Sequence, residues 1–294
     1  MQGRFTDARI ALEGAYAQIE GNGQENMALC CDFLVWRLSL CADAAPRFSF
    51  EERYAALLRH HNLAWINILN ATRAYYHALR GETEKIPESF AQHRLSAVNI
   101  LAPGKPMIEM IENQVFLSQG DYAKVIGRSE GLLALCEGMH YALVALHIRI
   151  QTAAAYEMLG KHDEARALLT RALSDAAPDG LAMPFVENYR CITPLLAGEP
   201  RRGLAAQILA LGEEGERRAR SAVRPAAFAA LTQREFEIVQ LMARRLSNRE
   251  LAEELFLSEG SVKQYVSRIY SKLHIEGDAR TKRKRLAELF SQNC

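Results

Sequence analysis

The glutamate and histidine positions are the first candidates for chemistry. Glu137 and His140 form an ExxH pair, which supplies half of a carboxylate-bridged metal site in some helical bundles. A complete site would need a second such pair, and the sequence contains none. His60 and His61 are adjacent, and neighbouring helical residues diverge by about 100°, so they do not easily share one ion. We therefore expect no metal site, and His140 to be an ordinary surface or packed residue.

Motifs for nucleophilic catalysis and for nucleotide binding are also missing. No serine stands in a GxSxG nucleophile elbow. A phosphate-cradling loop needs GxxxxGK[ST], and the nearest segment reads PGKP from Pro103 to Pro106, with Asn99 at the leading glycine position. We therefore predict no nucleotide site, no cofactor and no enzymatic activity.

A polar stripe near the C-terminus indicates a different chemistry, contact with DNA. Ser258 can cap a helix that runs to Leu273. Its apolar residues fall within about 60° of one another at 100° per residue and predict a buried stripe of Val262, Val266, Ile269 and Leu273. The opposite side carries small or amide-bearing residues beside two cations: Gly260, Gln264, Ser267 and Ser271, with Lys263 and Arg268. Such a face suits a major groove, but a surface helix of any small bundle could share it.

Two capping boxes mark the helices that would position this polar stripe. Thr232 precedes Glu235 by three residues and Ser247 precedes Glu250 by the same spacing, each before an amphipathic run. They predict a helix over 233–244 and a short helix over 248–256. The residues expected to face inward are Ile238, Leu241, Met242, Leu251, Ala252 and Leu255. A helix, a short helix, a tight turn and a third helix form the helix-turn-helix arrangement.

With these elements in place, the segment resembles the LuxR-type DNA-binding domain. Residues 231–275 read LTQREFEIVQLMARRLSNRELAEELFLSEGSVKQYVSRIYSKLHI. The positions that match the family pattern are Leu231, Thr232, Arg234, Glu235, Ser247, Asn248, Glu250, Ala252, Leu255, Ser258, Val262, Lys263, Ile269, Lys272 and Leu273. The resemblance implies that Lys263, Gln264 and Ser267 face the groove, and the helical wheel selects the same positions.

Three positions depart from the family pattern. Arg245 stands where glycine is usual after the first helix, which predicts a strained or different turn. Tyr265 replaces the usual histidine, and Ser261 replaces the usual threonine. Neither change removes the cations beside the polar stripe, so Ser261 stays among the predicted DNA-binding residues.

The chain past Leu273 predicts a fourth helix and a basic run. Five of the six residues from Arg280 to Arg285 are basic, and we expect Arg280, Lys282 and Arg283 either to contact phosphates or to be merely solvated. The apolar residues on one side of this helix are Leu286, Leu289 and Phe290. The resembled family uses its last helix for dimer contact on DNA, which implies a homodimer held by these three residues.

The first two thirds of the chain indicate a helical repeat. Short glycine-led phrases recur at Gly3, Gly81, Gly120, Gly160 and Gly198, at separations of 78, 39, 40 and 38 residues. The period is near 39, and the one position where it predicts such a phrase and the sequence lacks it is near Asp43. Isolated helix pairs cannot bury their apolar faces, so this pattern predicts a stacked solenoid. These phrases resemble the GDYxxA turn of a tetratricopeptide repeat, and the matching residues are Gly3, Phe5, Ala8, Gly120, Tyr122, Gly160 and Ala165. Residues 159–196 resemble the repeat region of MalT-like regulators.

The predicted fold is all-α, with three segments. Residues 1–216 form a tetratricopeptide-like helical-repeat solenoid, residues 217–230 a linker, and residues 231–294 a four-helix LuxR-type helix-turn-helix domain. Aromatic residues of the solenoid could line a ligand concavity or belong to its core: Trp36, Trp65, Tyr75, Tyr76, Tyr141, Phe185 and Tyr189. MalT-like regulators carry a nucleotide-binding module before their repeats, so we expect a fragment or a member without that module.

Composition and charge agree with a two-part globular protein. Hydrophobic residues make up 49% and charged residues 24% of the 294 residues, which excludes general disorder. Residues 1–200 carry 18 Lys+Arg against 23 Asp+Glu, whereas residues 201–294 carry 18 against 12. An acidic segment followed by a basic one is typical of a nucleic-acid-binding domain joined to another domain. No signal peptide or membrane span is evident, and the six cysteines form no CxxC pair. We predict a cytoplasmic protein with free thiols.

Two functions remain open. The first is a bacterial transcription regulator that binds double-stranded promoter or operator DNA as a homodimer, recruits RNA polymerase and carries a small-molecule or protein effector on its solenoid. No effector-binding residue is identified. The second is a helical-repeat scaffold for protein binding, whose basic tail is incidental. Sequence-specific retention of DNA distinguishes the two.

Overall fold

The computed structural model describes residues 1–22, 24–42, 44, 46–59, 63–95, 102–199, 202–222, 226–243, 246–255 and 257–293. Within these ranges it contains sixteen α-helices and no strand, so the all-α prediction is confirmed. The chain divides into two compact units, Met1–Glu216 and Arg217–Cys294. None of the helices in the described ranges combines the length and apolar character needed to cross a bilayer.

Twelve of the described helices begin in the first unit. They are α1 (Phe5–Asn22), α2 (Glu25–Ser39), α3 (Phe50–Arg59), α4 (Leu63–Arg80), α5 (Glu88–Ala91), α6 (Lys105–Gln119), α7 (Tyr122–Gly138), α8 (Ala142–Met158), α9 (His162–Ala176), α10 (Met183–Glu187), α11 (Tyr189–Leu196) and α12 (Gly203–Ala222). Short 3-10 turns lie at Thr83–Lys85 and Ala102–Gly104.

Left-handed residues end several of these helices. Gly81, Gly120 and Gly160 have φ angles of 71°, 82° and 72° and follow α4, α6 and α8. His140 takes the same conformation, with φ of 57°, between α7 and α8. A left-handed residue satisfies the last carbonyls of a helix and reverses the chain, so these glycines mark turns as their phrases predict. Asp43, near which the period predicts a phrase that the sequence lacks, lies outside the described residues.

Helix α8 lies at the centre of the first unit's core. It packs against α6, α7, α9, α10 and α11. Its residues Ile148, Ile150 and Ala153 are fully buried. A close approach also joins α11 to α12, where a Cβ on Gly212 would lie 2.2 Å from the Tyr189 ring, so only glycine fits there.

Several aromatic residues that could have lined a ligand concavity belong to this core instead. Tyr75 and Phe185 are fully buried, and Trp36 and Tyr189 are buried as well. The Trp36 ring stacks on Phe50 with centroids 3.9 Å apart. Their apolar area therefore stabilises helix packing, as for most buried aromatic side chains.

The second unit contains α13 (Gln233–Ala243), α14 (Asn248–Leu255), α15 (Glu259–Lys272) and α16 (Ala279–Asn293), preceded by a 3-10 turn at Ala226–Phe228. Its core includes Phe228, which is fully buried with its ring 5.5 Å from Phe236 and 6.0 Å from Phe290. Phe228 falls within the predicted linker 217–230. The compact part of this unit thus begins before residue 231, because an aromatic anchor of its core does.

Candidate nucleic-acid interface

Both predicted capping boxes are present in the second unit. The Thr232 amide donates to Glu235 Oε2 at 2.6 Å, and the Glu235 amide donates to Thr232 Oγ1 at 3.3 Å. Ser247 and Glu250 make the same two bonds at 2.6 and 3.3 Å. Hydrogen bonding by the side chain and the amide of Ser247 holds the pKa of the Glu250 carboxyl below its ordinary value. Helices α13 and α14 therefore begin where these boxes predict.

Helix α15 has one face in the core and the opposite face in solvent. Ser258 caps it by accepting the Ser261 amide at 3.1 Å. Val262 and Ile269 are fully buried, and Val266 and Leu273 are half-buried against the same core. This packing fixes the rotation of α15 about its axis, which decides the residues that it presents outward.

The outward face of α15 contains nearly all of the predicted groove residues. The exposed ones are Gly260, Lys263, Gln264, Ser267, Arg268 and Ser271. The guanidinium of Arg268 lies 6.0 Å from the centroid of the Tyr265 ring, and Tyr265 itself packs against the core. We call this exposed set the polar face. An amide and two hydroxyls between cations can donate to and accept from base edges while the cations meet phosphates.

Ser261 is placed differently from the other predicted residues. It is half-buried, and its Oγ lies 2.8 Å from Ser258 Oγ. Its amide and hydroxyl both serve the cap of α15, so the structure gives Ser261 a local role at the start of the helix.

The comparison with protein families decides what this unit is. A family model described as bacterial regulatory proteins, luxR family (GerE), matches residues 229–282. Residues 229–282 form a luxR-family DNA-binding domain.

A curated relative agrees with this assignment. Transcriptional regulatory protein LnrK of Bacillus subtilis (strain 168) is 47% identical over 45 residues, which are 15% of this chain and 20% of LnrK. The chain thus spans about a fifth of the length of the curated relative that it matches. No solved structure matches the chain. The family model matches residues of the second unit.

Some basic residues of the second unit act within the fold. Arg234 donates through Nη2 to the Leu255 carbonyl at 2.9 Å and through Nη1 to Glu237 at 2.9 Å, which ties α13 to the end of α14. Arg283 donates to the Leu246 carbonyl just before α14. Sequence reasoning missed both contacts, because a main-chain acceptor leaves no signal in the side-chain pattern.

The basic run at the start of α16 is therefore not uniform. Arg280 is exposed, whereas Lys282 is half-buried with Nζ 5.8 Å from the Tyr270 ring centroid. Arg285 donates to the Glu276 carbonyl at 2.8 Å. Of the three residues predicted to contact phosphates, Arg280 is the most accessible, and Arg283 already holds a backbone carbonyl.

The apolar residues of α16 belong to the second unit's own core. Leu286 is 1% exposed, and Leu289 and Phe290 are half-buried against the same cluster. The residue predicted as the first dimer contact, Leu286, therefore faces inward in this fold. Leu289 and Phe290 keep partly exposed edges.

The other candidate sites weighed from the sequence remain apart from any cluster. Glu137 and His140 are exposed, and the His140 amide donates to the Glu137 carbonyl as part of the turn after α7. Among the described residues, no group of three or more His, Cys, Asp or Glu side chains could hold a metal ion. His60, His61, Asn99 and Arg245 lie outside the described residues.

Proposed function

We propose that this protein is a sequence-specific DNA-binding transcriptional regulator without enzymatic activity. The observation that carries the proposal is the polar face of α15, whose opposite side is locked into the core of a luxR-family domain. Rotation of α15 by half a turn would bury cations and expose valines, so the face has one stable orientation. A regulator of bacterial promoters acts where the DNA is, in the cytoplasm.

Within the polar face, the residues divide by the part of DNA that they suit. Gln264 can pair bidentately with adenine or make a single bond to another base edge, and Ser267 can donate or accept. Lys263 and Arg268 stand beside them and suit base edges or the flanking phosphates. Gly260 and Ser271 add little bulk at the two ends of the face and allow close approach to the groove.

The contacts outside the polar face complete the proposed complex with double-stranded DNA. Arg280 and Lys282 lie in the first turn of α16, where the helix dipole also favours an anion, and we assign them to phosphates. Leu289 and Phe290 supply apolar edges for a homodimer on adjacent half-sites, with Leu286 supporting them from the core. The regulator would then recruit RNA polymerase through its exposed surface.

We assign the first unit to a tetratricopeptide-like sensor or interaction domain of the MalT-like type. Support comes from helices α6 to α9, which are 15 to 17 residues long and are joined by links of two or three residues. Successive helix pairs of this kind offer an extended surface for a small-molecule or protein effector. Such an effector acts on DNA binding only to the extent that it prefers one arrangement of the protein.

The test is a selection of bound fragments from random double-stranded DNA with the full chain, followed by titration of the enriched duplex at fixed salt. Lys263→Ala should weaken binding markedly, and Gln264→Ala should change the preference at one base step by about 1–3 kcal/mol. Lys161→Ala removes the same charge from an exposed position of the first unit and serves as the control.

Two outcomes would contradict this proposal. If the selection enriches no sequence, the alternative of a helical-repeat protein scaffold with an incidental basic tail takes its place. If a duplex is enriched but both α15 variants bind it as the parent does, the polar face is not the contact with DNA.

A further inference from the structure

A cavity of about 510 Å³ lies in the first unit, bordered by α1, α2 and α10. This volume is within the range of small-molecule sites in proteins, which is roughly 300–1,000 Å³. Its walls are mainly apolar and include Phe5, Ala8, Leu12, Leu34, Leu38 and Met183. The cavity is separate from the luxR-family domain, and nothing in the proposed contact with DNA uses it.

Two of the residues that border the cavity are charged and paired with each other. Arg37 Nε donates to Glu187 Oε1 at 2.7 Å, and the Tyr75 hydroxyl donates to Glu187 Oε2 at 2.6 Å. The Glu187 side chain is 1% exposed. Both carboxylate oxygens therefore already accept a bond, and the charge of Glu187 is balanced by Arg37.

Arg37 keeps an unused donor in this arrangement. Its Nη2 is buried and donates to no acceptor among the residues that the structure describes. The guanidinium also lies near two rings, with Cζ 5.4 Å from the Phe33 centroid and 5.6 Å from the Tyr75 centroid. These rings and the Glu187 bond hold the guanidinium in place, and a buried donor without an acceptor is unfavourable. Arg37 lines the cavity, so a shift of its side chain would bring this donor to an acceptor oxygen there and relieve that cost.

We propose that this cavity binds a small apolar monocarboxylate, with its carboxylate on the Arg37 guanidinium and its apolar body against α1 and α2. The charge of the border favours an anion. Arg4, which forms an exposed ion pair with Asp7 at 3.6 Å, adds a second cation, and the one carboxylate on the border, that of Glu187, is already paired. An amine would meet two guanidinium groups and would find both Glu187 oxygens in use. The wall offers one aromatic ring, that of Phe5, and is otherwise aliphatic, which suits an alkyl chain rather than a stacked planar ring system.

The experiment uses decanoate as the probe, below its micelle concentration, with the full chain and no DNA, measured by isothermal titration calorimetry. Decanol has the same chain without the charge, and decylammonium has the opposite charge. We expect saturable 1:1 binding of decanoate that is at least tenfold tighter than that of either control. No saturable binding of decanoate, or equal binding of decanol, would overturn the proposal.

Three variants locate the site. Ala8→Trp fills the cavity from α1 without touching the charged pair and should abolish binding, whereas Ala17→Trp places the same ring on an exposed position of α1 that does not border the cavity. Arg37→Lys keeps the charge but loses the guanidinium fork. The affinity for decanoate should therefore fall at least tenfold, and the affinity for decanol should not change. Should Arg37→Lys fail to fold, the tryptophan pair decides, and equal binding by Ala8→Trp and Ala17→Trp would refute the site.

Discussion

Lys272 Nζ lies 2.7 Å from Glu235 Oε2, which joins the end of α15 to the first turn of α13. The same oxygen accepts the Thr232 amide at 2.6 Å. Burial opposes ionisation of Glu235, but the bonds from Lys272 and Thr232 outweigh it and hold the pKa of this carboxyl below its ordinary value. Both residues match the luxR-family pattern, and their contact serves to hold α15 in place rather than to touch DNA.

Glu235→Ala should destabilise the second unit, produced as residues 226–294, by about 2–3 kcal/mol. The change removes one cap and leaves Lys272 without its partner beside the core. Glu288→Ala is the matched control, since its partner Lys284 is 3.7 Å away and both side chains are more than half exposed, so its effect should stay within about 0.5 kcal/mol. Urea unfolding measures the free energy of unfolding of both variants. Equal losses in the two would show that the pair of Lys272 and Glu235 adds nothing to stability.

The first unit should lose stability as the pH falls from about 6.5 to about 4. Burial lowers the pKa of His147 to about 4, although Glu187 Oε2, 3.8 Å away, opposes the shift. The unfolded chain takes up a proton near pH 6.5 and the folded chain does not. Neutral His147 therefore contributes up to about 3 kcal/mol to the free energy of unfolding above pH 6.5, and this contribution is lost by pH 4. His147→Gln should flatten the slope of the free energy of unfolding against pH in this range. Both tryptophans, Trp36 and Trp65, lie in the first unit and report its urea midpoint at each pH; an unchanged slope would exclude His147 as its source.

The basic run should divide into a DNA contact and a structural residue. Arg280→Gln should reduce the slope of log affinity against log salt by up to about 0.9 with little change in sequence preference. Arg283→Gln should instead lower the thermal stability of the second unit, because its guanidinium holds the Leu246 carbonyl. Titration at several salt concentrations and thermal melts separate the two effects. A salt slope that depends on Arg283 and not on Arg280 would reverse the assignment.

Two leucines of α16 should differ in what their loss affects. Leu286→Ala removes a fully packed side chain and should destabilise the second unit by about 2–5 kcal/mol. Leu289→Ala, at a half-buried position, should cost less stability but should weaken cooperative binding of two copies to adjacent half-sites. Unfolding curves and gel-shift titrations on paired and single half-sites measure these quantities. Undiminished pairing in Leu289→Ala would remove α16 from the proposed dimer contact.

Residues 226–294 of the second unit, isolated from the rest of the chain, should bind the selected duplex nearly as well as the full chain when no effector is present. Residues 226–294 include Phe228 and hence the whole aromatic cluster of this unit's core. Titration of both chains on one duplex at fixed salt provides the comparison. A more than tenfold advantage for the full chain would mean that the first unit already supplies dimerisation.

The parts that could be predicted from the sequence are those encoded by neighbouring residues. The capping boxes, the buried stripe of α15 and the all-α class depend on spacings of three or four residues. Ser49 and Glu52 have the same spacing, and their reciprocal bonds start α3. The contacts of Arg234 and Arg283 with carbonyls 21 and 37 residues away depend on how the helices pack, which no local pattern specifies.

The first unit shows the same limit. The helical pattern around α8 marks one stripe from Leu143 to Leu159, and within it Leu146, His147 and Ile150 are buried. Leu143 and Leu159, at the two ends of that stripe, are 39% and 47% exposed because α8 begins at Ala142 and ends at Met158. The buried pair of Arg37 and Glu187 was not foreseen, since 150 residues separate its members.

That separation affects how the first unit can come apart. In a simple repeat array each pair of helices contacts only its neighbours, so the ends can fray one pair at a time. Here the Glu187 carboxylate on α10 accepts bonds from Arg37 on α2 and Tyr75 on α4. Loss of α10 would leave a buried guanidinium and a buried phenol unpaired at once, so these distant helices should open together, as one cooperative step in hydrogen exchange.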